Sequence, residues 1–304
     1  MLVLAILYFL VISFLARHTD KMMSLSFLIL LPFSIGAISE YIFSFNQMAS
    51  NVQILKRRSL IVLVLLILGA IVLKEGVICL IMAAPIYLVF ALLGAFFMRS
   101  LCRKIWKPYK RIYSIGLLPL LGLLFLPNIT QYHQGYTTKS LVIDASREQV
   151  FAAINNIQNI EPNEIKRSPI FTMGFPKPQS GMTISTDQGA VRQIHWERGI
   201  YFEENIIQST APEKLMWTYR FIPTSFPKGS LDDHIEIGGA YFNLLTTDYR
   251  LEAINDNQTK LILRIDYRLS TELNFYSDLW VQYVLNEFSD VVLNIYKHRL
   301  EKKT

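Results

Sequence analysis

The chain divides into an apolar first part and a second part in which apolar and polar positions alternate. Five apolar stretches fill the first 126 residues: 1–16, 22–45, 60–73, 77–98 and 112–126. A helix needs about 20 apolar residues to cross the hydrocarbon core of a bilayer. So many stretches in so short a region favour membrane-spanning helices over the buried helices of a soluble protein. The sequence therefore predicts a membrane domain of four or five transmembrane helices over residues 1–126.

The first and fifth apolar stretches decide how many helices are predicted to span the membrane. The first has no basic residues before it and no small-residue cleavage site, which predicts a retained helix rather than a cleaved signal peptide. The fifth is short and contains Gly116, Pro119 and Gly122. It either spans a locally thinned bilayer or re-enters on the same side.

After residue 126 the pattern changes to strands. A short strand is predicted at 139–145, followed by a helix whose start is marked by the capping-box residues Ser146 and Gln149. Three later strands alternate apolar and polar positions, which is typical of an antiparallel sheet with one buried face. Residues 255–258 predict a hairpin turn between the last two strands. The apolar faces are Leu215, Trp217, Tyr219 and Phe221; Leu245, Thr247, Tyr249 and Leu251; and Leu261, Leu263, Ile265, Tyr267 and Leu269.

The chain is predicted to end in a long amphipathic helix over residues 276–301. Both apolar faces are buried if the sheet curls around this helix. The predicted fold is an α-helical multi-pass membrane region, a linker at 127–138, and an α+β helix-grip domain at 139–304. The apolar stripe of the terminal helix comprises Trp280, Val284, Phe288, Val291, Val292 and Ile295.

Charge is distributed unevenly along the 304 residues, of which 52% are hydrophobic and whose formal net charge is +6. Residues 1–126 carry 12 basic and three acidic residues, and the remainder carries 18 basic and 21 acidic residues. The basic excess of +9 thus lies between the apolar segments, where it fixes membrane orientation. The soluble part, at −3, has no basic footprint for nucleic acid, and no nucleic-acid partner is predicted.

The basic residues concentrate at 56–58 and 99–111, which places these two loops and the N-terminus in the cytoplasm. Trp106 and Tyr109 in the second loop are interpreted as interfacial aromatics rather than as part of an anionic-lipid site. If the fifth stretch spans, the C-terminal domain lies outside the cytoplasm, and otherwise it lies inside. The prediction is a multi-pass cell-membrane protein with an extracytoplasmic C-terminal domain.

Residues 139–301 resemble the START-like, or SRPBCC, superfamily of lipid-binding proteins and polyketide cyclases. The resemblance is carried by SLVIDASREQVFAAI, DQGAVRQIHWERGIYFEENI, TTDYRLEAINDNQTKLILRIDY and FYSDLWVQYVLNEFSDVVLNIYKHRLE. It is greatest to an uncharacterised bacterial branch in which membrane helices precede the domain. The resemblance implies an apolar ligand held between sheet and last helix. Asn286 and Ser289 stand where comparable members carry histidines, so chemistry that depends on those histidines is not implied.

Signatures of common catalytic and metal sites are absent from the sequence. It contains no GxSxG, P-loop, HExxH, or strand-associated GxGxxG motif. The pair His195 and Glu197 is interpreted as a solvated cross-strand pair rather than a metal site. The segment 232–234 (Asp-Asp-His) is interpreted as an acidic loop, and both cysteines lie in the apolar part. No metal, cofactor or catalytic residue is predicted.

Two charged residues interrupt the apolar strand faces. Arg192 shares its face with Ile194 and Trp196, and Glu204 shares its face with apolar neighbours. A core-facing charge must be paired or must meet a polar ligand group, because isolated burial is costly. The hypothesis is that Arg192 and Glu204 orient the polar head of a ligand. The alternatives are a structural Arg–Glu pair or a register shifted by one, and the resemblance favours Glu203 instead.

These residues lead to one leading function and two alternatives. The leading prediction is a membrane-anchored protein that binds a lipid or other hydrophobic small molecule. The alternatives are a cyclase- or hydrolase-like enzyme using Glu204, and a membrane sensor or assembly protein. Tyrosine hydroxyls complete the predicted ligand-binding set, which is Arg192, Trp196, Glu204, Tyr249, Tyr267 and Tyr283.

Overall fold

A computed structural model describes residues 2–19, 21–44, 50–73, 75–104, 114–126, 131–187, 189–231 and 236–301. The chain forms two compact units. The N-terminal unit comprises Met1–Thr130 with Thr271–Leu273, and the C-terminal unit comprises Gln131–Ser270 with Asn274–Thr304. The acidic segment 232–234 and the aromatic residues Trp106 and Tyr109 lie outside the described residues.

In the N-terminal unit, the secondary-structure elements described between residues 2 and 126 are all helical. Two of its continuous helical stretches, Ser26–Ser44 and Val77–Arg103, are long and apolar enough to cross a membrane, and a buried helix of a soluble protein meets the same criteria. Its helices are α1 (Leu2–His18), α2 (Leu31–Ser44, preceded by a π-helical turn Ser26–Leu30), α3 (Asn51–Leu68, continued by a π-helical turn Gly69–Leu73), α4 (Val77–Lys104) and α5 (Leu118–Phe125, preceded by a 3₁₀ turn Ser114–Leu117).

Helices α2 and α4 pack backbone to backbone. A Cβ atom on Gly36 would overlap the carbonyl oxygen of Ala91, and one on Gly94 would overlap that of Phe33. Only glycine allows so close an approach at these two positions. Small residues of this kind are typical of tightly packed helix pairs.

The basic cluster at 56–58 lies within α3 and does not form the predicted loop. The guanidinium of Arg58 is buried and bonds the carboxylate of Glu40 on α2 at 2.6 Å, with Ser39 as a second acceptor. One of the charges counted as an orientation signal is therefore neutralised inside the unit. Sequence spacing could not show this, because the two partners belong to different helices.

The C-terminal unit contains, in its described residues, one eight-stranded sheet, with strand order β1-β8-β7-β6-β5-β4-β3-β2, and three α-helices. The pairings from β2 through to β8 are antiparallel. Its elements are β1 (Gln131–Ile143), α6 (Arg147–Asn155), β2 (Asn156–Ile157), α7 (Pro169–Met173), β3 (Pro178–Thr186), β4 (Gly189–Trp196), β5 (Ile200–Thr210), β6 (Lys214–Arg220), β7 (Phe242–Asn255), β8 (Gln258–Thr271) and α8 (Asn274–Glu301).

The sheet curls around α8 and buries its apolar face against that helix, which is the predicted helix-grip arrangement. The predicted capping box at Ser146 and Gln149 is present, and β7 and β8 are joined by the predicted turn. The core between sheet and helix includes Leu215, Trp217, Tyr249, Leu251, Leu263 and Ile265 from the strands and Leu285, Val291, Ile295 and Tyr296 from α8.

Three details of the sequence prediction are wrong. Residues 131–138 belong to β1 rather than to a linker; the outward positions of this edge strand carry exposed aromatics such as Tyr136 and hide the alternation. In β7 a register shift between Leu244 and Thr247 buries Leu244 instead of Leu245, since one extra residue reverses the faces. The buried arc of α8 is also wider than predicted, because the helix packs on α6 and α7 as well as on the sheet.

Candidate ligand-binding site

A charged pair lies in the core-facing layer of the sheet. Arg192 on β4 and Glu204 on β5 are directly opposed in the register, and Nη1 of the arginine lies 2.8 Å from Oε2 of the glutamate. Each side chain is 6% exposed. Glu203 lies on the opposite face, where it accepts hydrogen bonds from Tyr201 and Arg220. Glu204 is therefore the core-facing glutamate, as the alternation predicted, and Glu203 is not.

The same arginine also joins the sheet to the terminal helix. Its Nη2 donates to the hydroxyl oxygen of Tyr296 on α8 at 2.9 Å. The ring of Tyr296 meets Tyr249 of β7 edge to face, with centroids 5.9 Å apart. Tyr296 was not among the predicted site residues. Its position seven residues after Ser289 places the two on one helix face, but this spacing does not show that Tyr296 reaches Arg192.

Aromatic rings complete the surroundings of the arginine. The guanidinium carbon of Arg192 lies 5.8 Å from the centroid of the Trp217 ring, and that ring packs at 5.2 Å against Tyr249. We call the set Arg192, Glu204, Trp217, Tyr249 and Tyr296 the buried polar cluster. It brings together side chains from β4, β5, β6, β7 and α8 within a mainly apolar core.

The electrostatics of the cluster follow from its burial. Burial raises the pKa of Glu204, while the Arg192 charge opposes that rise. Burial lowers the pKa of Arg192, but Tyr296, Glu204 and Tyr249 raise it by more, so the guanidinium stays charged. Burial also raises the pKa of Tyr249 well above its usual value. The phenol therefore remains a protonated hydrogen-bond donor, and the cluster offers a fixed cation, a carboxyl group and hydroxyls.

Some buried polar atoms lack a hydrogen-bond partner among the described residues. Two of them belong to the cluster, Nε of Arg192 and Nε1 of Trp217, and a third is Oγ of Ser289, whose residue is almost completely buried on α8. A buried donor without a partner costs about 1–3 kcal/mol, so such atoms are uncommon in folded proteins. A polar ligand atom that accepts hydrogen bonds would remove this cost.

The remaining predicted residues divide into two groups. Trp196 is half-buried and packs between Phe202 and Phe288, with centroids 5.2 and 4.8 Å away, so it joins β4 to α8. Tyr267 is buried, but its hydroxyl donates to the carboxylate of Asp278. It lies outside the cluster's described contacts.

Tyr283 lies on the exposed side of α8 and is not brought together with the other predicted residues. Its one described ring contact is with Trp280, at 6.2 Å. The physical reason is helical phase. At about 100° per residue, Tyr283 points about 200° away from the buried Leu285 two positions later.

His195 and Glu197, the pair considered as a possible metal site, do not form a set of metal ligands among the described residues. His195 packs on the ring of Tyr201 at 5.0 Å, and Glu197 lies in a 3₁₀ turn, where it accepts from the backbone of Lys177. Within the described ranges no group of three His, Cys, Asp or Glu side chains is placed to hold a metal ion.

Comparisons with known proteins extend only to the fold. No family model and no curated protein sequence matches the chain. Similar solved structures include a START superfamily protein from Mycobacterium smegmatis and an aromatase/cyclase from Streptomyces. Each is 11% identical, has a TM-score of 0.38 and covers 56% of this chain. The match covers 99% of the START superfamily protein and 96% of the aromatase/cyclase. Norcoclaurine synthase from Thalictrum flavum is 14% identical, with a TM-score of 0.33 and coverage of 57% and 90%.

A START superfamily protein is thus among the matches, as the sequence resemblance predicted. All three TM-scores are below 0.5 and all three identities are below 25%, so these likenesses carry no argument about function. The helix-grip fold is assigned from the strand order and from the packing of α8 against the sheet.

Proposed function

We propose that this chain is a membrane-anchored protein that binds a lipid or other hydrophobic small molecule between the curled sheet and α8. The observation that supports the proposal is the buried polar cluster, which sets one charged pair and two tyrosine hydroxyls in a mainly apolar core. Binding sites for apolar molecules have this composition: apolar walls with a few polar groups that fix orientation.

Stability alone does not account for the pair. Replacing a buried ion pair by well-packed apolar side chains is often neutral or stabilising by about 1–4 kcal/mol. The partnerless Nε of Arg192 and Oγ of Ser289 add a further cost. A ligand with an apolar body and one oxygen-bearing head would accept hydrogen bonds from these donors. This chemistry includes fatty acids, sterols, polyketides and glycerolipids.

The membrane anchor is proposed to be the N-terminal unit, with four or five helices in the cell membrane. Large apolar side chains on the outer surface of its helices are more than half exposed, which in water would be unfavourable and in lipid is expected. The extracytoplasmic position of the C-terminal domain stays a prediction, since residues 114–125 make a helical segment shorter than a full span. A reporter fused after Thr304 tests it. The exposed apolar side chains include Val3, Leu7, Phe14, Leu60, Leu63, Ile71 and Val89.

The experiment is mass spectrometry of the organic extract of the purified full-length chain. The expected result is a hydrophobic molecule enriched in the parent and absent from the double variant Arg192→Met with Glu204→Leu. The matched control is Arg220→Leu, which removes the partner of Glu203 on the outer face of the sheet and should keep the molecule. An extract containing only detergent and bulk lipid, equal in all three proteins, would contradict the proposal.

An enzyme is the second candidate, favoured by the burial of the Glu204 carboxyl group. Burial raises the pKa of Glu204, as a general acid or base requires. The test is Glu204→Gln, which removes the ionisable group but retains the shape. If the protein turns over its ligand, the variant should retain a molecule of different mass from that bound to the parent. The same molecule in both proteins would contradict turnover and support binding without catalysis.

A further inference from the structure

The first turns of α8 carry an apolar stripe on their exposed side. Phe275, Leu279 and Tyr283 are 72%, 63% and 38% exposed. They follow one another at intervals of four residues and therefore lie on one face of the helix. Single exposed apolar residues are ordinary, but a continuous stripe of this kind marks a surface that contacts something apolar. We call these three residues the α8 stripe.

The α8 stripe lies at the end of the C-terminal unit that is tethered to the apolar helices. The side chain of Asn274, at the start of α8, donates to the carbonyl oxygen of Gln131, at the start of β1. Helix α5 ends at Phe125, and an extended chain covers at most about 3.6 Å per residue. Gln131 follows Phe125 by six residues, a stretch of chain that spans at most about 22 Å.

A cation and an aromatic ring lie at the same end of the unit, on the outer face of the sheet. The guanidinium carbon of Arg268 lies 5.6 Å from the ring centroid of Tyr132, which is 79% exposed at the beginning of β1. The described hydrogen bonds of Arg268 go to Ser270 and to the backbone carbonyls of residues 239 and 240, with no carboxylate among them. Aromatic side chains at the headgroup level and basic residues facing anionic lipid are typical of proteins that lie on a bilayer.

We infer that the α8 stripe docks on the surface of an anionic bilayer, with its three side chains at the boundary between headgroups and acyl chains. This inference rests on the membrane anchoring in the proposed function. Its chemistry is that of an interfacial helix, in which Phe and Leu enter the lipid and nearby cations meet anionic headgroups. Helix α8 also carries Ser289 and Tyr296, so the helix that docks is the one that forms a wall of the proposed binding site.

The test places a fluorophore on the stripe of the full-length chain. Cys79 and Cys102 are replaced by serine, and a single cysteine is introduced by Leu279→Cys for labelling with nitrobenzoxadiazole. The matched control is Ile254→Cys, another exposed apolar position, which precedes the β7–β8 turn. That turn lies at the opposite end of β1, since Gln258 bonds Asp144. Both proteins are reconstituted in phosphatidylcholine–phosphatidylglycerol vesicles, with and without doxyl-labelled phosphatidylcholine.

We expect doxyl lipid to quench the label at position 279 at least about three times as strongly as the label at position 254. The reason is that interfacial side chains lie within reach of the acyl chains. Equal quenching at the two positions, in chains that float with the vesicles, overturns the docking and leaves the anchoring intact. Shielding of position 279 from aqueous iodide without quenching by lipid assigns the stripe to a protein partner or second copy, and also overturns the docking. A chain that does not float with the vesicles contradicts both proposals.

Discussion

Removal of one partner of the buried charged pair should be far more damaging than removal of both. In Glu204→Leu the Arg192 guanidinium loses the carboxylate at 2.8 Å and keeps only Tyr296 as a described side-chain acceptor. Both side chains are almost completely buried, so water cannot replace the lost partner. The expected cost is about 3–5 kcal/mol in the free energy of unfolding. Arg192→Met with Glu204→Leu should return to within about 1 kcal/mol of the parent or exceed it.

The outer face of the same sheet supplies the comparison. Arg220 and Glu203 form a pair at 3.2 Å, but the arginine side chain is more than half exposed. Arg220→Leu should therefore cost about 0–1 kcal/mol. The two pairs differ chiefly in burial, and β5 contributes the glutamate of each pair.

Urea unfolding of the full-length chain in detergent, followed by tryptophan fluorescence, measures these differences. Trp196 and Trp217 lie next to the cluster or within it and report on its unfolding. With a urea slope of about 1–3 kcal/mol per molar, the cost of Glu204→Leu should lower the midpoint by about 1 M or more. A shift no larger than that of Arg220→Leu would refute the burial argument. A double variant as unstable as Glu204→Leu would refute the reasoning that an unpaired charge is the cause.

Three further predictions concern other parts of the chain. Arg299 donates hydrogen bonds to Glu164 and lowers the pKa of that carboxyl group. The pair should therefore stabilise the fold above pH about 4.5 and lose this effect as the pH falls through the lowered pKa. Glu164→Gln should cost about 1 kcal/mol of unfolding free energy at pH 7 and little near pH 3. Gly135→Ala should cost about 1–3 kcal/mol, measured as thermal stability, because its Cβ would overlap the ring of Tyr267. Gly36→Ala should lower the melting temperature of the helical unit in detergent, because its Cβ would separate α2 from α4.

Each of these predictions has a contrary outcome and two have close controls. A Glu164→Gln difference that is constant from pH 3 to 7 would exclude the ion pair as its source. Gln134→Ala on the outward face of β1 should leave thermal stability nearly unchanged, and an equal loss there would contradict the packing argument for Gly135. Gly69→Ala meets only a flexible Leu80 side chain at 3.3 Å and should be tolerated; equal damage at Gly36 and Gly69 would contradict close helix packing as the cause.

Local sequence signals predicted much of the C-terminal unit. The capping box at Ser146 and the β7–β8 turn depend on residues close together in the chain, and both are present. The alternation placed Arg192 and Glu204 on the core-facing side of their strands, because the two-residue period of a strand fixes the face of every side chain. That the two are direct partners is a fact of register, which the sequence left among its alternatives.

Features that depend on distant parts of the chain could not be predicted. Tyr296 reaches Arg192 across more than a hundred residues, so only the docking of α8 reveals the contact. The bulge in β7 changes which leucine is buried, and a single extra residue leaves no clear mark in an alternating pattern. Arg58 appeared as a loop charge because it lies between two apolar stretches, and its partner Glu40 belongs to another helix. In each case the missing information is tertiary rather than local.

Native mass spectrometry of the intact full-length chain, released from detergent micelles, tests the proposed binding most directly. The proposal predicts a bound hydrophobic molecule at about one per chain, as expected for a single enclosed site. The adduct should persist in Arg220→Leu and disappear in the variant that lacks both Arg192 and Glu204, while that variant remains folded. Two results would contradict the proposed binding at the buried polar cluster. One is a mass spectrum without any adduct for all three proteins, and the other is an adduct that persists in the variant lacking the charged pair.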